Sequence, residues 1–408
     1  QCGMRVSARF KRSTLATDAI KRAIDSAAGK GVQAISFTGG EPLLYLDTLA
    51  ELITYAGKAG IPYIRTGTNG FSFANPDADN FEDRVKTVVD TLSQTPLRNF
   101  WISIDSVDPE THEKMRGLSG VLRGIEKALP LFHNHGLFPA VNLGLNRNLA
   151  GDNSIGDADV TDCGHDGHLL KFYEQIQHGL RRFYAFVIDL GFTMVNTCYP
   201  MSLGENDLEE DLKAVYGATS SDHVVRFSHM EKSLLFKALF DTIPEFRHRI
   251  RIFSPRISLL SLYREYSTGI PHTYPCRGGL DFFFINASDG NTYPCGYRGT
   301  ENLGPFEGLD LRTRKNQTDC RLCDWECFRD PTEIAAPFMD LLGRPLYLIR
   351  NIIKDKKYYS VWLNDLAYYR ACGFFDGRQP LQPSRLCRFK YPDSSNTSHP
   401  SYVSLNAH

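Results

Sequence analysis

Residues able to do chemistry concentrate at two places in this 408-residue chain. At the first, Gly39, Gly40, Glu41 and Pro42 follow the apolar run "VQAISFT" (32–38). Two glycines without Cβ atoms let backbone groups approach a ligand closely. Glu41 offers an acceptor to a ligand ammonium, and Pro42 stiffens the turn. On its own the stretch is equally well a strand-to-helix turn. Cys2 stands 37 residues before Gly39, with almost nothing ahead of it. At the second place, Cys276, Cys295, Cys320, Cys323 and Cys327 fall within 52 residues. Cys276 and Cys295 frame a C-x13-G-x4-C pattern through Gly290, and Asp289-Gly290 is a hairpin signal that brings the two cysteines near each other. "CRLCDWEC" then adds three thiols in C-x2-C-x3-C spacing. Four thiolates converging on a hairpin make a zinc ribbon or an iron–sulfur site, and taken alone the pattern leans to zinc.

The bulk properties exclude several alternatives. The 46 basic and 47 acidic residues nearly cancel, so no net field recruits nucleic acid or an anionic membrane. No run of about 18 apolar residues is present to span a bilayer. The length predicts one large domain and a smaller one. Such a chain has ample core, so its ten cysteines are not a disulfide scaffold; their clustering favours metal ligation in an intracellular, cytoplasmic protein.

The elements that must position these residues follow one grammar. A helix over 14–28 leads to the strand at 32–38. Helices around 47–58, 80–94, 119–135 and 169–190 alternate with strands "PYIRTGTNG" (62–70), "NFWISIDS" (99–106), "FPAVNLGLN" (138–146) and "FTMVNTCYP" (192–200). Such alternation predicts a parallel sheet with helical crossovers, and ligand chemistry at the strands' C-terminal ends. Those ends carry "TGGEP", "TNG", "SIDS", "NLGLN" and "NTCYP", all polar or glycine-rich. Residues 149–168 read as an inserted polar loop, and 223–265 as helical connection.

In combination, Cys2, the GGEP turn and "ISIDSVDPETHEKMRG" (102–117) resemble the radical S-adenosylmethionine (SAM) superfamily over about residues 1–200. The resemblance implies a (β/α)6 partial TIM-like barrel whose first strand and first two cluster cysteines are absent from the chain as printed, a five-stranded remnant. It implies a 4Fe–4S cluster with Cys2 among its ligands, and SAM bound to the cluster through its amino and carboxylate groups. Glu41 and the glycine backbone would then meet the SAM ammonium, with Asp105 on the same edge. Ser103 with Arg116 or Arg123 would meet the carboxylate, and Asn69 the ribose. Leu143, Leu145 and Val195 would flank the adenine, although plain barrel packing suits these three better.

Behind such a barrel, the second constellation resembles the auxiliary-cluster modules called SPASM and twitch. The middle motif lacks a fourth cysteine, and Cys372 and Cys387 restore the number but not the spacing. The resemblance therefore implies one auxiliary 4Fe–4S cluster, with a second left open. The expected domains are a partial barrel (1–205), a helical connection (206–270), the cysteine module (271–332), a helical segment (333–390) and a poorly ordered tail (391–408). The implied activity is reductive cleavage of SAM to a 5′-deoxyadenosyl radical. That radical would take hydrogen from an unactivated C–H of a peptide, small molecule or lipid, with a flavodoxin or ferredoxin as electron donor. The alternative is a zinc-stabilised binding protein with a degenerate barrel.

Other features read more plainly. Cys163, Cys198 and Cys372 are better buried hydrophobes than ligands. Cys163, His165 and His168 belong to a polar loop near the site mouth. Arg247, Arg249, Arg251 and Arg256 read as a solvated basic face. The aromatic segment 346–369 could lie on a membrane, but tertiary docking is the commoner fate. Arg298 reads as a surface salt-bridge residue rather than a contact to a substrate carboxylate.

Overall fold

The computed structural model describes residues 13–156, 165–200, 223–313 and 320–391. Its centre is a six-stranded, wholly parallel sheet whose spatial order follows the sequence: β1 (Ala34–Phe37), β2 (Tyr63–Thr68), β3 (Asn99–Ser103), β4 (Ala140–Gly144), β5 (Met194–Cys198) and β6 (Arg251–Ile252). Helices α1 (Thr17–Gly29), α2 (Leu46–Lys58), α3 (Phe81–Ser93), α4 (Pro109–Arg116), α5 (Val121–Asn134), α6 (His165–Asp189), α7 (His229–Phe246) and α8 (Arg256–Thr268) surround or extend it. The fold is the predicted α/β partial barrel, with one correction. Residues 206–270 were expected to be helical connection, yet β6 lies within them. Two residues are too short for a periodic signal, and Arg251 is no strand marker.

Strand alternation divides the sheet into two faces. Ile64, Phe100, Ile102, Val141, Leu143 and Val195 are fully buried against the helices in one core. The α3 stripe Phe81, Val85, Val88, Val89 and Leu92 meets that core at helical spacing. The opposite parity lines the inner face with Arg65, Gly67, Trp101, Ser103, Asn142, Asn196 and Cys198, and the register puts Gly67 beside Trp101 and Asn142 beside Asn196. A Cβ on Gly67 would lie 2.0 Å from the Trp101 ring, so only glycine lets the indole lie across the inner face. Arg65 stacks over that indole at 4.8 Å.

The C-terminal part closes the other end. Helices α9 (Glu326–Gly343), α10 (Pro345–Lys354) and α11 (Lys356–Ala371) follow the cysteine region. Tyr368, Cys372 and Phe375 pack on Ala140 and Met194 at the strand starts, with Trp101 beside them. The chain is stitched there by Phe138 N–H to Gly377 O (2.7 Å) and Gly377 N–H to Arg98 O (2.6 Å). Arg378 donates to the carbonyls of Leu92, Ser93, Thr95 and Leu97. Of the four arginines read as a solvated face, Arg249 is exposed as expected, whereas the other three are held inside the fold. Arg247 and Arg251 are each 2% exposed. Arg247 pairs with Asp365 at 2.6 Å, Arg251 donates to Thr193 and Asp376 carbonyls, and Arg256 donates to the Phe240 carbonyl. The aromatic segment divides: Tyr358, Tyr359 and Trp362 of α11 are buried, whereas Leu346, Ile349 and Ile353 of α10 are exposed.

Candidate active site

The C-terminal edge of the sheet assembles the first constellation. After β1 the chain passes Gly39 and Gly40 into a 3-10 turn, Pro42–Tyr45, capped by the Glu41 carboxylate. Glu41 Oε1 accepts from Leu43 N–H (3.1 Å) and the Thr68 hydroxyl (2.8 Å), and Oε2 accepts from Asn69 N–H (2.7 Å). The acid thus ties the ends of β1 and β2 together. Burial raises its pKa, and the donors from Asn69, Thr68 and Leu43 oppose that rise. Asn69 reaches its turn because Gly70 takes φ 93°, where Val121 stands too close for a Cβ.

Next along the edge stands Asp105. Asp108 caps α4 by accepting from Thr111 N–H at 2.8 Å, and Gly117 in a left-handed conformation ends it. That short helix delivers Arg116 to Asp105 at 2.6 Å, both side chains largely buried. Burial alone would raise the Asp105 pKa, but the Arg116 guanidinium outweighs it and holds the carboxyl below its usual value. Gly144 N–H donates to Asp105 Oδ1 (3.2 Å), and Asn146 holds the Asp105 carbonyl (2.8 Å). Asp105 N–H donates to His112 Nδ1 at 3.2 Å, and burial lowers that imidazole to about 4, so it is neutral. Thr68, His112 and Asn146 escaped the sequence reading; a threonine, a histidine and an asparagine carry no motif by themselves.

The structure brings Glu41, Asn69, Ser103, Asp105 and Arg116 to one edge. Arg123 is not among them, since it is exposed and paired with Asp77. Leu143, Leu145 and Val195 belong to the buried core shared with the helices. This agrees with the packing reading preferred for them, and Asn142, Gly144 and Asn196 next to them occupy the inner face. Cys2 and Cys163 lie outside the described residues, as does the side chain of His165; His168 is exposed on α6.

Residues 2–147 match the family described as the Radical SAM superfamily. That match covers about a third of the chain, and it is the N-terminal part that is similar to this superfamily. GTP 3′,8-cyclase of Tolumonas auensis is 34% identical over 121 residues, 29% of this chain and 32% of that protein. GTP 3′,8-cyclase of Aeromonas hydrophila is 31% identical over 169 residues, 40% of this chain and 44% of that protein. The chain thus spans less than half the length of these curated relatives. Among solved structures, Streptococcus suis SuiB aligns with a TM-score of 0.47 at 16% identity, covering 78% of this chain and 63% of that one.

Beyond the radical SAM match lies the cysteine module. Its hairpin pairs β7 (Phe284–Ile285) with β8 (Thr292–Tyr293), turning through Gly290 at φ 73° as the Asp-Gly signal required. Cys276 forms a backbone bridge to Cys320, its N–H donating to the Cys320 carbonyl at 2.8 Å. Cys276, Cys295, Cys320 and Cys323 are mutual electrostatic neighbours. Three of these sulfurs accept an amide from two residues on: Gly278 at 3.5 Å, Tyr297 at 3.4 Å, and Trp325 for Cys323. Amide donors aimed at sulfur favour the thiolate, the form that binds a metal. Burial, and then the neighbouring thiols, push the Cys295 thiol up to about 12 and the Cys323 thiol well above its ordinary value. A cation among four mutually repelling thiolates would relieve this, so the donor set suits one. As placed, no three His, Cys, Asp or Glu side chains among the described residues form a closed metal-holding group.

Cys327 stands on the barrel side of this module. Its strongest charged partners are Glu326, Arg65 and Asp330, and it in turn acts on Cys198 at the end of β5. Arg298 pairs with Glu301 at 2.6 Å, as the salt-bridge reading expected, and donates to Gly278 O. Cys372 is buried in the closing cluster and Cys387 is exposed.

Proposed function

We propose that this chain is a radical SAM enzyme acting on an unactivated C–H bond, with an auxiliary iron–sulfur centre in its cysteine module. The observation that carries the reading is the fixed Glu41 carboxylate beside the Asp105–Arg116 pair, on the strand-end edge of a domain whose family match begins at Cys2. In this reading Cys2 is a ligand of the SAM-binding 4Fe–4S cluster, and Cys276, Cys295, Cys320 and Cys323 hold one auxiliary 4Fe–4S cluster. When bound, the first cluster and SAM supply a 5′-deoxyadenosyl radical that takes hydrogen from substrate.

The protein's part is placement. Glu41 and the Gly39-Gly40 backbone receive the SAM ammonium, Asn69 the ribose, and Ser103 with Arg116 the carboxylate. Asp105 holds Arg116 in place and is itself fixed by Gly144. Trp101, stacked under Arg65, floors the inner face and keeps water from entering through the sheet. Substrate sits between the strand ends and the cysteine module, and belongs to the peptide, small-molecule or lipid class. The cyclase relatives' names point to a nucleotide, but their matches cover only 29% and 40% of this chain. A one-electron donor of the flavodoxin or ferredoxin class supplies the reducing electron.

The test is anaerobic reconstitution of the full-length protein, followed by iron and sulfide analysis, EPR after reduction, and detection of 5′-deoxyadenosine. About eight irons per chain are expected from two four-iron clusters. Zinc without SAM cleavage would establish the zinc-stabilised binding protein instead.

A further inference from the structure

The first turn of α9 sits on the open end of the sheet. Glu326 is buried, and its Oε2 accepts Tyr199 N–H, just past β5, at 3.3 Å. Its Oε1 accepts from Cys327 Sγ at 3.5 Å. Two further bonds join the same helix to β5, from the Tyr199 hydroxyl to Asp330 at 3.1 and 3.2 Å. Cys198 occupies the inner-face position at the end of β5, with its sulfur 3.3 and 3.4 Å from the Asn142 amide. Two thiols and a carboxyl therefore converge on the lumen where the strand-end chemistry takes place, and Arg65 faces them from β2.

Cys327 is solvent-exposed, and its Sγ donates to the buried Glu326 carboxylate on the side of Cys198 and Arg65. A sulfur that donates this hydrogen bond carries its hydrogen, the form that gives up a hydrogen atom.

We propose that Cys327 is a free, substrate-facing thiol which, with Glu326 and Cys198, forms a hydrogen-donating site separate from the four-cysteine metal site. The proposal rests on the radical chemistry argued above. A carbon-centred radical on substrate takes the hydrogen atom: the S–H bond breaks, a C–H bond forms, and the sulfur is left one electron short. One electron from a flavodoxin- or ferredoxin-class donor and one proton passed through Glu326 restore the thiol. The net result at substrate is redox-neutral, which selects rearrangement, cyclisation or inversion over dehydrogenation.

The experiment uses the anaerobically reconstituted holoprotein. Iodoacetamide labelling, read by peptide mass spectrometry, should modify Cys327 and surface Cys387 at least about tenfold faster than Cys276, Cys295, Cys320 and Cys323. C327S should keep wild-type iron, whereas C323S should lose about four irons. Protection of Cys327 until iron is removed, or iron loss in C327S matching that in C323S, would overturn the proposal. With SAM and dithionite in D2O and no substrate, the exchanged thiol should place deuterium in 5′-deoxyadenosine, and C327S should lower that fraction several-fold at unchanged iron content. An unchanged fraction would also overturn it. Failure of the enzymatic reading shows separately, in wild-type protein that binds no iron or releases no 5′-deoxyadenosine.

Discussion

At the scale of single residues, the edge of the sheet works by fixing charged groups before any ligand arrives. Glu41 accepts three hydrogen bonds, so E41A strands the Thr68 hydroxyl and two amides. A loss of about 1–3 kcal/mol in denaturant unfolding is expected. E41Q should keep most of that stability yet weaken SAM binding about tenfold by calorimetry, the equivalent of one charge-assisted hydrogen bond. His112 makes a separate prediction. Its folded pKa is lowered from 6.5 to about 4, so between those values the unfolded chain binds the proton and the folded one does not. Stability must therefore fall as pH drops through this window, by up to about 3 kcal/mol. The wild type minus H112Q difference in unfolding free energy, measured at pH 7 and pH 4, should reveal that slope. Asp105 acts elsewhere: its pKa is lowered from 3.8, so its contribution is held above that value and lost only as pH falls below it.

Among elements, strand parity decides what each side chain can do. The inner face is polar because the helix layer covers only the other, and Gly67 exists so that Trp101 can cross it. G67V should force the indole aside and destabilise the fold by about 1–3 kcal/mol, the cost of an overpacked core. It should also red-shift Trp fluorescence as water enters. The sequence reading located five of the strands and their polar ends correctly, since apolar runs closed by Gly, Asn-Gly or Asp report themselves locally. It missed β6, where two residues borrow their pairing from β5, while the packing it preferred for Leu143, Leu145 and Val195 is what the core shows.

For the whole molecule, the C-terminal helices close the barrel at the strand starts and cross over it at the strand ends. The buried Arg247–Asp365 pair binds α11 to the chain after α7, and Asp365 also accepts Ile257 N–H at 2.8 Å. Removing one partner leaves a buried charge uncompensated, so R247A should cost about 3–5 kcal/mol in chemical denaturation, whereas the double variant R247M/D365N should recover most of that loss. The sequence alone determined the barrel, the GGEP turn and the cysteine hairpin, because each is written in neighbouring residues whose glycines, prolines and apolar periods act locally. Only the tertiary structure decided that Arg247, Arg251 and Arg256 are anchors rather than parts of a basic face. It likewise decided that Arg116, not Arg123, reaches Asp105, and that Cys327 parts company with Cys323 four residues earlier. Those outcomes depend on which distant carboxylate, carbonyl or strand end a side chain meets, and separation along the chain carries no record of that meeting.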